Sequence, residues 1–225
     1  MRQAIAHYDE SYFSWQKKSA VLTAKIVASR PKSNILPSDC VLDFGCGGGF
    51  LLAELNASQK LGVEINPVAR EQVISNGADC NAIIEDVPDL WADIILSNSC
   101  LEHVESPLVQ LQKMKNKLKI GGQLIEMVPH ETLASKYQPN DVNQHLYTWS
   151  PMTLGNLVTL AGFQVKSVKL YPEVRPPFAE YVYSLFGVKI LRLASRLFRV
   201  IRVMLGPIRS VDIDGDIMVV AERKT

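Results

Sequence analysis

Cysteine is scarce in this 225-residue chain, and its spacing is not that of a metal site. Cys40, Cys46, Cys80 and Cys100 form no CxxC pair, so they read as reduced thiols of a cytosolic protein and no metal is expected. Long apolar runs are missing as well: no uncharged stretch approaches the ~20 residues of a membrane-spanning helix. The opening MRQAIAHYDESYFSWQ places Asp and Glu where a signal peptide carries its apolar stretch, so export by that route is not expected. Net charge is also small. A balance of +1, from 24 Lys+Arg against 23 Asp+Glu, offers little broad attraction for nucleic acid. With 47% apolar and 21% charged residues, the composition is that of an ordinary globular domain, and the length is ample for a core.

Acidic residues are absent from one stretch altogether. Residues 181–211 hold Lys189, Arg192, Arg196, Arg199, Arg202 and Arg209 with no Asp or Glu, leaving 18 basic and 23 acidic residues elsewhere. On a helical wheel the first five of these cations share one arc, and Ile190, Leu193, Ala194, Leu197, Phe198 and Ile201 fall opposite. A basic amphipathic helix over 189–205 suits a membrane interface facing anionic lipid. Packing on its own domain or on a second subunit is the other reading, and nucleic acid the weakest.

Elsewhere, short apolar runs alternate with helical patterns. Strands are expected at Cys40–Phe44, Leu61–Ile65, Ala82–Ile84, Ala92–Ser97, Gln123–Val128, Phe163–Leu170 and Asp216–Ala221. Between them, helices are expected from Phe50, from Pro67, over Ser106–Leu118 and from Pro151 to Leu160, with Gly121-Gly122 as cap and turn. Such alternation predicts βαβ units and an α/β fold of seven strands, mostly parallel, the last two an antiparallel pair. The whole reads as one domain: a leading helical segment (1–38), a cofactor-binding core (39–170), the basic insertion (171–211) and a final strand (212–225).

The sharpest feature is the strand VLDF running into GCGGG and then a helix start at Phe50. Glycines there let backbone approach a ligand closely. A dinucleotide fingerprint would need its third glycine at position 50, where Phe50 is too bulky, and this disfavours a nicotinamide-dependent reductase. Asp43 stands at the strand end, where it would repel a pyrophosphate but suit a cationic group. Glu64, at the end of the second strand and beside Ile65, can accept both hydroxyls of a ribose. Asp86 can accept from an adenine amino group while Val87 packs on the ring. Three acids at successive strand ends fit an adenosine carrying a positive centre.

These residues resemble the class I S-adenosylmethionine-dependent methyltransferases, in the small-molecule branch. The resemblance rests on Asp43, Gly45, Gly47 and Gly49, on Glu64 and Asp86, on the run from Asp93 to Val104 that contains LEHV, and on HLYTWSPMTL from His145. It implies a Rossmann-like sheet with helices on both faces and S-adenosylmethionine as methyl donor; the basic segment then reads as a helical insertion before the last strand, outside the resemblance. The resemblance places Asp43, Gly45, Cys46, Gly47, Glu64, Ile65, Asp86, Val87, Asn98 and His103 at the donor. His145 or His130 is expected as base for a hydroxyl nucleophile, His145 preferred. Ser97-Asn98-Ser99-Cys100 stands where amino-group methyltransferases carry an NPPY-like tetrapeptide, which favours O-methylation of a small-molecule or lipid-linked acceptor, such as a quinone precursor or glycan. Tyr8, Tyr12, Phe13 and Trp15 are candidates for a lid. A catalytically silent partner subunit of the same fold is the alternative. Localisation is expected in the cytoplasm, or peripheral at the inner membrane face.

Overall fold

The computed structural model describes residues 20–30, 34–130, 137–139, 141, 143–172, 179–205 and 215–224. The proposed aromatic lid, and the start of the leading helix, lie outside them. A helix α1 over 20–28 precedes the sheet. The remaining order is β1 (Cys40–Phe44), α2 (Phe50–Ala53), β2 (Gln59–Val63), α3 (Pro67–Ser75), β3 (Asp79–Asn81), β4 (Ala92–Asn98), α4 (Pro107–Lys117), β5 (Leu118–His130), α5 (Pro151–Leu160), β6 (Gln164–Pro172), α6 (Ala179–Leu205) and β7 (Gly215–Glu222).

The seven strands form one sheet in the order β3-β2-β1-β4-β5-β7-β6. β1 pairs in parallel with β2 and β4, while β7 runs antiparallel to both β5 and β6. The chain therefore leaves β1 toward one edge, returns to its other side at β4, and creates a crevice at the C-terminal ends of β1 and β4. Ligands of open α/β sheets bind at such a reversal.

Alternation along each strand feeds two apolar layers, as a sheet covered on both faces requires. Leu42, Ile95, Leu124 and Val219 pack on one face with Leu111, Met114 and Val158 from α4 and α5. Val41, Ile94, Leu96, Ile125 and Met127 pack on the other with Val27, Ala28 and Leu52 from α1 and α2. Local chemistry fixes the helix starts. Asn66 Oδ1 accepts from the Val68 and Ala69 amides ahead of α3, and Ser150 forms a reciprocal capping box with Thr153 ahead of α5, each with Pro as first helical residue.

Three expectations need correction. β3 ends at Asn81, and Ile84–Asp86 is a 3-10 turn, not a strand. Gly121-Gly122 does not end a helix. α4 stops at Lys117 and the chain passes straight into β5, where Ala92 pairs Leu118 but Ile94 pairs Gln123. The extra residues bulge outward, held by Gly121 N–H to Arg223 O at 2.7 Å and Arg223 N–H to Gly122 O at 3.0 Å. The helix after the glycine loop is one turn only, Phe50–Ala53. On α6, Leu191 is 2% exposed, while Leu193 and Leu197 of the apolar arc stand 63% and 61% exposed.

Gly62 on β2 makes room for the glycine loop. A Cβ there would lie 2.5 Å from Cys46 Sγ and 3.2 Å from Cys80 Sγ. Gly62→Ala is expected to destabilise the protein by about 1–3 kcal/mol, as overpacking does. Urea denaturation measures the loss, and adding Cys46→Ala should restore most of it; unchanged stability of Gly62→Ala would contradict the close fit.

Candidate active site

The glycine loop leaves β1 with Gly45 in the left-handed region (φ 73°), and a Cβ at this position would run into Cys100 Sγ. Both conditions admit only glycine. The Gly45 and Cys46 amides donate to Val63 O at 2.8 and 3.2 Å, and Asn76 Nδ2 donates to Gly48 O at 2.8 Å. Glu64 completes the tie. Its Oε2 accepts from the Gly47 amide at 2.9 Å and its Oε1 from the Asn66 amide at 2.8 Å. Arg70 Nη1 donates to the Glu64 and Ile65 carbonyls at 2.9 and 2.8 Å. The carboxylate is thus fixed in direction, with lone pairs left on both oxygens.

Beside it opens a cavity of about 600 Å³, lined by Gly45, Gly47, Glu64 and Ile65 at one side. Ile83, Ile84 and Glu85 form a second wall, and Ser99, Cys100, His103 and Val104 a third. Ser99 holds a positive φ of 52°, a strained setting for a side-chain-bearing residue, at the mouth of the crevice between β1 and β4.

Electrostatically the floor is acidic and buried. Asp43 is buried, with Oδ1 lacking a hydrogen-bond partner among the described residues. Burial first, and then the Glu64 charge, push its carboxyl from 3.8 up to about 8. Glu64 is itself raised by burial, partly offset by the Asn66, Gly47 and Ile65 amides. Glu126 is fully buried in register with Ser97, and burial holds its carboxyl well above the usual range. Cys100 is held well above the ordinary thiol value by burial and then by Glu102, so it stays a thiol.

Five of the ten residues expected at the donor line this cavity: Gly45, Gly47, Glu64, Ile65 and His103. Asp43 is buried at the base of the loop, and Cys46 turns its Sγ to within 4.0 Å of Cys80 Sγ. Asp86, Val87 and Asn98 stand outside the lining. The 3-10 turn leaves Asp86 exposed and sends Val87 into the core, so Ile83 and Ile84 provide the wall assigned to that pair. Of the two expected bases, neither His145 nor His130 lines the cavity. His103 does, with the His145 ring edge-on to it at 4.8 Å between centroids. Glu102, fully buried, brings Oε1 to 3.8 Å from His103 Nε2. Glu102, His103 and His145 hold their ligand-capable atoms within 4.8 Å of one another. Sequence reading missed Ile83, Ser99, Cys100 and Glu102; the reversal of strand order at β4 is the signal that points to Ser99 and Cys100.

Comparison with known proteins agrees with this geometry. Residues 15–168 match the family described as a methyltransferase domain. The chain belongs to the class I S-adenosylmethionine-dependent methyltransferase family. Ribosomal protein L11 methyltransferase of Alteromonas mediterranea is 33% identical over 105 residues, 39% of this chain and 35% of that protein. Ubiquinone biosynthesis O-methyltransferase of Xanthomonas campestris is 33% identical over 112 residues, 44% of this chain and 47% of that protein. The chain thus aligns with half or less of the length of these curated relatives. A SAM-dependent methyltransferase from Archaeoglobus fulgidus has the same fold, with a TM-score of 0.61 at 19% identity over 94% of this chain and 99% of that one.

The family's cofactor is S-adenosylmethionine, and the cavity fits it. Glu64 offers two fixed oxygens for ribose hydroxyls, Ile83 and Ile84 an apolar wall for adenine, and the glycine loop a backbone cradle. The orphaned Asp43 oxygen and the fixed Glu64 carboxylate beside the loop suit a cation better than a pyrophosphate. Glu64→Ala is expected to weaken donor binding by about tenfold or more, the equivalent of one charge-assisted hydrogen bond. Calorimetric titration measures it; unchanged affinity would remove Glu64 from the ribose seat.

Asp43 also sets a pH dependence. Between its ordinary 3.8 and its folded value of about 8, the unfolded chain has lost a proton that the folded chain keeps. Stability therefore falls as pH rises through that window, by at most about 1.4 kcal/mol per pH unit from this residue. In the free protein, Asp43→Asn should melt progressively higher than wild type as pH goes from about 5 to about 8. A constant melting difference across that range would contradict a raised Asp43.

Proposed function

We propose that this protein transfers a methyl group from S-adenosylmethionine to a hydroxyl of a small-molecule acceptor, with His103 as general base. The observation that carries the reading is the one cavity that holds both Glu64, at the ribose end, and His103, at the wall formed after β4. When bound, the donor supplies a methyl group already activated for displacement by its sulfonium. The protein's tasks are then to align the acceptor, exclude water and take a proton.

His103 suits the last of these. An imidazole that accepts a hydroxyl proton becomes cationic, and Glu102 Oε1 at 3.8 Å from Nε2 stabilises that cation without being close enough to hydrogen-bond. The edge-on ring of His145 holds the His103 ring plane, so His145 is a positioning residue. Leu146 N–H donates to Glu102 O at 2.8 Å and fastens this segment to the 3-10 turn Leu101–His103. Ser97-Asn98-Ser99-Cys100, in place of a proline-rich amino-group motif, also favours oxygen as the methylated atom. A quinone precursor or a lipid-linked glycan falls within this acceptor class.

A screen of phenolic, enolic and sugar hydroxyl acceptors, read by S-adenosylhomocysteine formation, tests the reading. With a productive acceptor, His103→Ala should lower kcat about a hundredfold or more while leaving donor affinity within about twofold. His145→Ala should cost less, and raising pH should partly rescue the His103 variant. Donor binding without product across the screen would favour a silent partner subunit. Full activity of His103→Ala would remove the base.

A further inference from the structure

We propose that α6 is a docking face for an anionic membrane surface, on which it lies in the plane of the interface. Its faces divide the work. Leu191 is buried and Ala194 and Ser195 are half-buried beside it, one turn apart on the same side. Phe198 is half-buried too, but Ile190, Leu193, Leu197, Val200 and Ile201 are all exposed, a continuous i, i+3, i+7 and i+10 or i+11 stripe. Large contiguous exposed apolar patches mark interaction surfaces. Lys189 and Arg196, also exposed, flank that stripe.

The helix bends at Gly187 (φ 72°), where a Cβ would meet nothing within 4 Å, so conformation and not packing requires glycine. Immediately before the bend, Leu185 and Phe186 are exposed together, Phe186 by 60%. Two bulky apolar side chains at the bend, followed by an apolar stripe with a cationic border, are the parts of an interfacial anchor.

Charge selects lipid over a second copy of this chain. Lys189 and Arg196 border the stripe and residues 181–211 contain no acid, so two copies meeting through this face would bring cations together with no acid of that segment to pair them. Phosphate headgroups supply the opposite charge, and acyl chains the apolar contact. None of the described helices is long and apolar enough to cross a membrane, so α6 lies on the surface. The topology adds a functional consequence. In sequence α6 lies between Pro172 and Gly215, and Pro172, Gly215 and His130 are register partners at the C-terminal edge of β5. That is the edge on which the cavity opens, so a docked α6 would bring the cavity's edge of the sheet to the lipid. This last consequence rests on the proposed reaction; the docking does not.

Flotation of the full-length protein with phosphatidylcholine vesicles, with and without phosphatidylglycerol, is the test. Binding to the anionic vesicles is expected, weakened by added salt, with at least about a tenfold loss on neutral vesicles. Leu193→Glu/Leu197→Glu and Lys189→Glu/Arg196→Glu should each abolish flotation while donor binding, measured by thermal shift, stays at the wild-type value. If the glutamate pair in the apolar stripe fails to fold, Leu193→Ser/Leu197→Ser takes its place. Absence of flotation, or flotation indifferent to both pairs, would overturn the proposal. So would a lipid-free dimer in sedimentation analysis that the leucine substitutions dissociate. Because donor binding is read separately, a failed docking result leaves the catalytic reading standing, and the reverse also holds.

Discussion

The hydrogen bond from the Gly47 amide to Glu64, at 2.9 Å, joins the two strand ends on which the site is built. It links the loop after β1 to the turn after β2, and the Gly45 and Cys46 amides on Val63 O repeat the same link through the backbone. A glycine-rich loop has many conformations to lose. Here one carboxylate and one carbonyl select a single conformation and leave the rest of Glu64's acceptor capacity facing the cavity. The small residues around this tie follow from it: Gly62 clears a bay for Cys46, and Gly45 clears one for Cys100.

Ordering the loop this way concentrates acid under it. Burial raises the carboxyls of Asp43, Glu64 and Glu126, and repulsion adds to it at Asp43, from Glu64, and at Glu126, from Glu102 and Asp43. Such a floor is costly in the free protein and favourable to a cation. The same arrangement would reject a diphosphate, whose charge would add to the repulsion. Perturbed carboxyls at the crevice of an open sheet are thus a signature of the ligand's sign as well as of a site.

Much of this was legible in the sequence because it depends on short-range spacing. The glycine loop, Glu64 at the next strand end, the proline-led starts of α3 and α5, and seven strands with an antiparallel finish all follow from local pattern. What was illegible depends on contacts distant in sequence. Asp86 and Val87, expected at the adenine, stand outside the cavity lining because one 3-10 turn, Ile84–Asp86, follows β3. Gly121-Gly122 looked like a helix stop, but their partner is Arg223 on the far side of the sequence. His145 resembled a pocket residue; only folding shows that it backs His103, which faces the cavity. On α6, periodicity located an apolar arc but not the side that Leu191 buries.

The most direct test of the account is a crystal structure of the protein with S-adenosylhomocysteine. The ribose hydroxyls should lie within hydrogen-bond distance of both Glu64 oxygens, with the adenine against Ile83 and Ile84 and the sulfur pointing toward His103. Nucleoside density at any other edge of the sheet, or a ribose satisfied without Glu64, would contradict it.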